Sequence, residues 1–360
     1  MRIAIIDADL VSRKRHRFPN LACMKLSGFH KERGDDVVLK LDYDGLEDFD
    51  CVYISAVFTS TKVPESILKS DHVSYGGTGF FYDKAPVLPA EIEHHMPDYH
   101  LYDDWVAAQL AAGGKRAEYK YYTDYSIGFL TRGCFRKCAF CVNRNYDRVQ
   151  IHSALSEFFD PDRPKLCFLD DNFFGCADWQ RILEEVKATG RPFQFKQGLD
   201  ERLLTDEKCA ALFSGKYDGD YIFAFDNLDD AKLIERKIQL ARKYSDAVFK
   251  FYCFTGYDRS ARWDAGFWRQ DIFDLLQRIE ILMRNRCLPY VMRYERYEDS
   301  PYRGVYITIA RWCNQPSFFK KKTLREYAQM PDNATALRYI SDFERLFPEA
   351  GRYFDLRFPR

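Results

Sequence analysis

The sequence predicts an α/β fold in which a small Rossmann-like domain precedes six further β/α units. Short apolar runs with high β-propensity alternate with helical stretches along most of the 360 residues. Four such runs precede residue 80 and six follow residue 124, and a segment rich in alanine and glycine separates them at residues 111–116. Regular alternation of strands and helices is typical of parallel sheets covered by helices.

We predict that the front domain, a Rossmann-like parallel α/β unit, occupies residues 1–110. Its strands are expected at residues 2–6, 37–41, 51–57 and 72–75, and its helices at residues 20–33 and 62–69. Four glycine-rich residues, 76–79, follow the last of these strands. They would either bring backbone N–H groups close to a phosphate or form a plain loop.

The six β/α units are predicted within residues 111–300, with an additional edge strand at 119–122. The six strands are expected at residues 126–130, 165–169, 193–196, 221–225, 248–254 and 288–293. The helices between them are expected at residues 151–158, 179–189, 206–213, 229–244 and 267–286. Six units are too few for a complete eight-stranded barrel. Residues 301–360 form a predicted C-terminal extension, with helices at 323–330 and 335–347.

Composition excludes several classes of function. The 54 basic and 54 acidic residues cancel, so nucleic acid is not indicated as a partner. A basic run at residues 13–17 is either a solvated loop or a contact for phosphate or nucleic acid. No apolar stretch is long enough to span a membrane, and the start of the chain has too short an apolar run for a signal peptide. Eleven cysteines without a regular framework favour the reducing cytoplasm.

The most informative segment holds Cys134, Cys138 and Cys141, in the spacing C-x3-C-x2-C, directly after the first predicted barrel strand. Loops at the carboxyl ends of parallel strands are where α/β folds place their chemistry. Three thiolates on one loop can share an iron–sulfur cluster and leave one iron open, whereas such clusters usually take four cysteines. The alternatives are a structural zinc knuckle, for which the chain lacks a second cysteine pair, or three unrelated thiols.

This pattern, with Phe140 directly before the third cysteine, resembles the signature of the radical S-adenosylmethionine (SAM) superfamily. The preceding Thr-Arg-Gly at residues 131–133 resembles in particular the subgroup with an N-terminal cobalamin-binding-like domain. The resemblance implies a [4Fe-4S] cluster on the three cysteines, SAM bound to the open iron, and Phe140 against the adenine. It also implies that the six β/α units form the partial, open (β/α)6 TIM-type barrel of these enzymes.

Further SAM contacts are implied at the carboxyl ends of the later strands. By resemblance, Asp171 and Asn172 would accept hydrogen bonds from the SAM amino group, although both also lie where they could cap a helix. Gln197 lies in a polar run, residues 196–202, that would hold the SAM carboxylate, the ribose or substrate, or else form structural salt bridges. Asp226 would accept hydrogen bonds from ribose hydroxyls or take a substrate proton, or else cap the following helix. Arg293 would clamp an anion, or else face solvent.

The front domain resembles the cobalamin-binding-like domain of the same subgroup, but it departs from the pattern. The corrin-binding motif D-x-H-x-x-G would fall on residues 7–12, where Asp9 replaces the ligating histidine and Ser12 replaces the glycine. We therefore expect a degenerate domain, in which cobalamin remains a possible cofactor without strong support.

The resemblance implies reductive cleavage of SAM and abstraction of a substrate hydrogen by the 5′-deoxyadenosyl radical. An electron donor of the flavodoxin or ferredoxin type would then be a partner, and the substrate is not readable from the sequence. One alternative is a cobalamin-dependent radical SAM methyltransferase. Another, of a different class, is a non-catalytic iron–sulfur protein that binds or senses a ligand.

Overall fold

The computed structural model describes residues 1–13 and 15–359 and confirms a mixed α/β chain with parallel sheets. The chain divides into two compact units. The first unit comprises Met1–Asp171 and Gly175–Gln194, and the second comprises Asn172–Phe174 and the chain from Phe195 onward. The predicted domain boundaries at residues 110 and 300 remain predictions.

The first unit contains the front sheet and the strands that lead to the three cysteines. Its strands are β1 (Arg2–Asp7), β2 (Asp36–Leu39), β3 (Cys51–Ser55), β4 (Val73–Gly76), β5 (Tyr125–Gly128), β6 (Thr131–Arg132), β7 (Gln150–Ile151), β8 (Lys165–Phe168) and most of β9 (Phe193–Phe195). Its helices are α1 (Ala8–Ser12), α2 (Leu21–Glu32), α3 (Glu65–Leu68), α4 (Thr78–Phe81), α5 (Ala90–Glu93), α6 (Asp103–Ala111), α7 (Lys120–Thr123) and α8 (Trp179–Ala188).

The front sheet has the strand order β2-β1-β3-β4, and each neighbouring pair is parallel. Ile3 and Ile5 of β1 pack into a core on one face of the sheet, and Ala4 and Ile6 pack into a core on the other. Burial on both faces explains why β1 is a continuous apolar run and does not alternate with polar residues. The helix α2 begins where the Asn20 side chain accepts hydrogen bonds from two backbone N–H groups.

A second sheet in this unit has the order β5-β8-β9, and β5 pairs with β8 in parallel. All four residues of β5 are buried. Tyr125 and Ile127 pack against Cys167 and Leu169, and Phe18 and Tyr121 lie at the edge of that cluster. The carboxyl ends of β5 and β8 therefore have a fixed relationship, which matters because the cysteine loop follows β5.

The second unit contains a parallel sheet with the order β10-β11-β12 and the remaining helices. Its strands are β10 (Tyr221–Ala224), β11 (Phe249–Thr255) and β12 (Leu288–Arg293). Along β11, buried side chains alternate with half-buried ones, as expected when only one face of a strand is fully covered. Its helices are α9 (Asp206–Phe213), α10 (Ala231–Arg242), α11 (Ala265–Arg284), α12 (Arg303–Cys313), α13 (Pro316–Phe319), α14 (Leu324–Ala328), α15 (Ala334–Leu346) and α16 (Gly351–Phe354).

Two local predictions were wrong. The predicted helix at residues 151–158 is absent: Ile151 pairs with Thr131 as part of β7, and a single 3₁₀ turn covers Leu155–Glu157. The long-range pairing overrides the apolar spacing that suggested a helix. The predicted edge strand at 119–122 is instead the start of the short helix α7. Helices α6 and α12 were not predicted.

Candidate functional site

The three cysteines lie on a loop with a closed base in the first unit. After β5, the two residues of β6 pair antiparallel with β7, in the register Thr131 to Ile151 and Arg132 to Gln150. The backbone N–H of His152 also donates to the Leu130 carbonyl oxygen, at 2.8 Å. This ladder closes residues 133–149 into one loop, which we call the cysteine loop. Its two ends leave the sheet at the same place.

The three cysteines of the loop form no disulfide with any described residue and are half-buried, whereas seven of the other eight cysteines are buried. The backbone N–H of Arg136 donates to Cys134 Sγ, and that of Asn143 donates to Cys141 Sγ, both at 3.4 Å. A turn between the last two cysteines is closed by the Cys141 N–H and the Cys138 carbonyl, at 2.9 Å. Hydrogen bonds to sulfur are one of the features that tune iron–sulfur clusters.

The cysteine loop supplies three cysteines and no histidine, which is one ligand fewer than a structural zinc site takes. Over residues 1–13 and 15–359, no three His, Cys, Asp or Glu side chains converge closely enough to hold a single metal ion. A zinc knuckle needs four converging Cys or His ligands. A cluster brings its own iron and sulfide atoms and needs thiolates spaced along a loop, which Cys134, Cys138 and Cys141 supply.

Asp171 braces the cysteine loop on both sides of its cysteines. This residue follows the carboxyl end of β8, and its side chain is 8% exposed. Oδ2 accepts a hydrogen bond from the backbone N–H of Gly133, and Oδ1 accepts one from Asn143 Nδ2, both at 2.7 Å. Arg132 Nε lies 3.6 Å from the same carboxylate. The predicted contact of Asp171 with the SAM amino group remains a prediction.

The neighbouring carboxylate, Asp170, holds the residues that lead into the loop. It is 1% exposed and accepts hydrogen bonds from the Leu130 N–H (3.2 Å), the Thr131 N–H (2.7 Å) and Thr131 Oγ1 (2.6 Å). Burial raises its pKa from 3.8 to about 7. Sequence reasoning did not single out Asp170, although two successive aspartates after a buried strand were a usable signal.

Gly133 is required by the shape of the loop. Its φ is +97°, a left-handed conformation that L side chains rarely adopt. A Cβ atom at this position would lie 2.3 Å from the Arg148 carbonyl oxygen and 3.1 Å from the Tyr146 ring. The glycine of the Thr-Arg-Gly-Cys run therefore lets the two ends of the loop approach each other.

Most of the basic residues around the cysteines are paired. Lys137 lies 2.5 Å from Asp147, and Arg144 lies 2.6 Å from Asp83. The guanidinium of Arg132 lies 4.0 Å from the centre of the Phe129 ring. The backbone carbonyl of Phe140 accepts a hydrogen bond from the Tyr82 hydroxyl at 2.6 Å. The role of the Phe140 ring against adenine is untested.

The other predicted SAM contacts belong to the second unit. Asn172 is buried and Gln197 is exposed. Asp226 Oδ1 accepts the backbone N–H of Phe254 at 2.8 Å, and burial raises the pKa of Asp226. The guanidinium of Arg293 lies 4.3 Å from the centre of the Tyr297 ring. Their predicted roles in binding SAM remain predictions.

Glu201 is a buried acid of the second unit that sequence reasoning did not single out. It is 1% exposed, and its Oε2 accepts the backbone N–H of Ala224 at 3.2 Å. Burial raises its pKa from 4.5 to about 8. Its neighbour Arg202 bridges Asp200 (2.7 Å) and Asp230 (2.9 Å), so the polar run after β9 includes a structural salt bridge.

Asp9, the front-domain residue at the position of the corrin-ligating histidine, makes hydrogen bonds within the front domain. Asp9 is 1% exposed and accepts hydrogen bonds from the Val57 N–H, at 2.7 Å, and from Thr61 Oγ1. A Cβ atom on Gly77 would lie 2.2 Å from the Ala56 carbonyl oxygen. The glycine-rich residues 76–79 therefore pack against the end of β3. In the basic run, Arg17 pairs with Glu118, and Lys14 lies outside the described residues.

Comparisons with known proteins support the fold. No model of a known protein family matches the chain, and no curated protein sequence matches it. A solved structure of a radical S-adenosylmethionine methyltransferase, TsrM, from Kitasatospora setae, with cobalamin and a [4Fe-4S] cluster bound, is similar with a TM-score of 0.51. The identity is 10%, and the match covers 81% of this chain and 72% of that chain. The α/β fold therefore resembles that of a radical SAM enzyme.

In the described parts of the chain, no helix is both long and apolar enough to cross a membrane.

Proposed function

We propose that this protein is a radical SAM enzyme whose cysteine loop holds a [4Fe-4S] cluster. The observation that supports this most strongly is the loop itself: three half-buried cysteines in the spacing C-x3-C-x2-C, on a loop that follows the buried parallel strand β5 and the short strand β6. The similar fold of a radical SAM methyltransferase supports the same proposal. In this proposal β5, β8, β9, β10, β11 and β12 are the six strands of a partial (β/α)6 barrel.

Cys134, Cys138 and Cys141 would be the protein ligands of the cluster. Held there, the cluster would supply the one electron needed to cleave SAM into methionine and a 5′-deoxyadenosyl radical, the species that would abstract a substrate hydrogen. The chain itself would position this chemistry. Asp170 fixes the residues that lead into the loop, and Asp171 binds Gly133 and Asn143 on the two sides of the cysteines. Backbone N–H groups donate to two of the sulfurs.

The SAM contacts would come from Phe140, Asp171, Asn172, Gln197, Asp226 and Arg293, as the resemblance implies. Asp171 already accepts two hydrogen bonds, but a carboxylate offers about four acceptor positions and so can accept a third. A one-electron donor of the flavodoxin or ferredoxin type would reduce the cluster in the cytoplasm.

Measuring iron and sulfide after anaerobic reconstitution tests the proposal. Wild-type protein should bind four irons and four sulfides per chain, as roughly expected for one cubane cluster, and each of C134S, C138S and C141S should lose most of that iron. C51S is a matched control, because Cys51 is also half-buried. Iron binding unaffected by the three substitutions, or stoichiometric zinc in place of iron, would contradict the proposal.

A second candidate function is cobalamin-dependent methylation by the same radical SAM site. The observation that favours it is the similar structure of a methyltransferase with cobalamin bound, together with the parallel front sheet of this chain. Asp9 stands at the position of the ligating histidine and is only 1% exposed, so its carboxylate lies inside the front domain and does not fit a ligand for cobalt. Retention of hydroxocobalamin through gel filtration would support this candidate, and loss of the cofactor would count against it.

A further inference from the structure

The turn that follows β4 contacts the cysteine loop directly, although about 60 residues separate them in the sequence. The Tyr82 hydroxyl donates to the Phe140 carbonyl oxygen at 2.6 Å. Asp83 Oδ2 accepts hydrogen bonds from Arg144 Nε at 2.7 Å and from Asn145 Nδ2 at 3.4 Å. Both segments belong to the first unit. We call residues 77–84 the β4 turn.

The contacts of the β4 turn surround the third cysteine. Phe140 immediately precedes Cys141, while Arg144 and Asn145 follow it by three and four residues. Asn145 Nδ2 also donates to the Asp83 backbone carbonyl at 3.1 Å. Arg144 Nη1 donates to the Ala139 carbonyl at 2.9 Å, so this arginine also closes the segment onto itself. The stretch that presents Cys141 is therefore tied to the β4 turn at several points.

The other end of the β4 turn is attached to the front sheet. The Gly79 N–H donates to the Ala56 carbonyl at 2.9 Å, and the Ala56 N–H donates to the Gly76 carbonyl at 3.1 Å. Thr78 Oγ1 donates to the Val57 carbonyl at 2.8 Å. Gly77 allows this approach, because any side chain there would overlap the Ala56 carbonyl. The β4 turn is therefore hydrogen-bonded to the front sheet at one end and to the cysteine loop at the other.

Two features distinguish this contact from an ordinary surface ion pair. The Asp83 side chain is 10% exposed and that of Arg144 is 41% exposed, and the hydrogen bond from Arg144 holds the pKa of the Asp83 carboxyl below its usual range. Tyr82 has a φ of +48°, a backbone conformation that costs free energy for a residue with a side chain. By comparison, the Lys137–Asp147 pair on the same loop is 48% and 88% exposed, which is typical of pairs with little net effect.

We propose that Asp83 and Tyr82 are positioning residues, which hold the Cys141 segment of the cysteine loop in place from the carboxyl edge of the front sheet. This inference rests on the proposed function where it concerns a cluster, but the positioning itself is a property of the metal-free chain. It gives the front sheet a role that does not depend on cobalamin: the sheet is the fixed support of one cluster ligand.

The test uses the full-length metal-free protein and the variants D83N, Y82F and D147N. Hydrogen exchange of the amides at 139–145 and the alkylation rate of Cys141 relative to Cys134 are measured by mass spectrometry. D83N should raise both by about tenfold, the effect of losing a charged hydrogen bond, and Y82F should raise both by a smaller factor. D147N, which removes the exposed ion pair of the same loop, should match the wild type.

A second arm compares the electron paramagnetic resonance spectrum of the reduced, reconstituted proteins with and without SAM. D83N should change the spectrum of the SAM complex at equal iron content, whereas a loss of overall stability alone would leave the spectrum of the folded fraction unchanged.

The inference would be overturned if D83N were indistinguishable from wild type in hydrogen exchange, alkylation and spectrum. Equal changes in D83N and D147N would overturn it as well. If D83N fails to fold, Y82F decides the result on the same readouts. Wild-type protein that assembles no cluster would overturn the proposed function, while the metal-free arm would still decide the positioning.

Discussion

Asp170 Oδ1 accepts two hydrogen bonds from Thr131, one from the backbone N–H at 2.7 Å and one from the hydroxyl at 2.6 Å, in a buried site at the carboxyl end of β8. This pairing fixes the strand that leads into the cysteine loop. Because Asp171 then binds Gly133 and Asn143, two successive aspartates hold the loop on both sides of its cysteines. The loop is thus positioned by the neighbouring strand β8 as well as by its own ladder.

Replacing Thr131 with valine should destabilise the protein by about 1–2 kcal/mol, because it removes a buried hydroxyl–carboxylate hydrogen bond at almost constant side-chain volume. The measurement is the free energy of unfolding from urea denaturation. T335V is the control, since Thr335 is exposed on α15. Equal stability of T131V and T335V would show that the Asp170–Thr131 contact contributes nothing.

Replacing Asp171 with asparagine should loosen the cysteine loop, because an amide can accept from only one of the two donors and turns an N–H₂ group toward the other. We expect lower iron content after reconstitution and faster alkylation of the three loop cysteines. D178N is the control, since Asp178 is exposed and makes no side-chain capping bond to α8. Iron content equal in D171N and wild type would contradict the bracing role.

Replacing Gly133 with alanine should prevent normal closure of the loop. The added Cβ would overlap the Arg148 carbonyl, and the backbone conformation alone costs roughly 1–2 kcal/mol for a residue other than glycine. G190A is the matched control, because Gly190 has a φ of +68° but no atom within 4 Å of the added Cβ. G133A should bind much less iron than G190A. Equal iron binding by the two variants would show that loop closure does not require this glycine.

Glu201 should make the stability of the protein depend on pH. Burial raises its pKa from 4.5 to about 8, so the folded state keeps a proton that the unfolded state releases in this range. The contribution of protonated Glu201 to the free energy of unfolding is complete below about pH 4.5 and is lost as the pH rises to about 8. E201Q, which stays neutral, should therefore gain stability relative to wild type as the pH rises.

Urea denaturation at about pH 5 and about pH 8 measures this difference. E207Q is the control, because Glu207 is exposed on α9 and its substitution should not change the pH slope. Identical pH slopes for E201Q and wild type would show that Glu201 is ionised in the folded protein at neutral pH.

The sequence predicted the strands of the parallel sheets well, and it predicted the long-range contacts poorly. The six strands predicted after residue 124 all lie within two residues of their observed bounds, because a buried parallel strand is a short continuous apolar run, whereas the short antiparallel strands β6 and β7 were not predicted. The helix at 151–158 failed because Ile151 pairs with Thr131, twenty residues earlier. No local pattern encodes such a pairing.

At the candidate site, too, local features could be predicted from the sequence, whereas contacts between distant segments could not. The cysteine spacing is local and stands out in the sequence, as do the two aspartates after β8. The contacts from Tyr82 and Asp83 to the cysteine loop connect segments about 60 residues apart, and neither residue type is unusual in a turn. Only the folded chain shows that the front sheet reaches the loop.

The most direct test of the central claim is the formation of 5′-deoxyadenosine from SAM and dithionite by anaerobically reconstituted protein. We expect wild-type protein to form it and the variants C134S, C138S and C141S to form none above background, while C51S should behave like wild type. A fully reconstituted wild-type protein that leaves SAM uncleaved would contradict the claim and would favour a non-catalytic iron–sulfur protein.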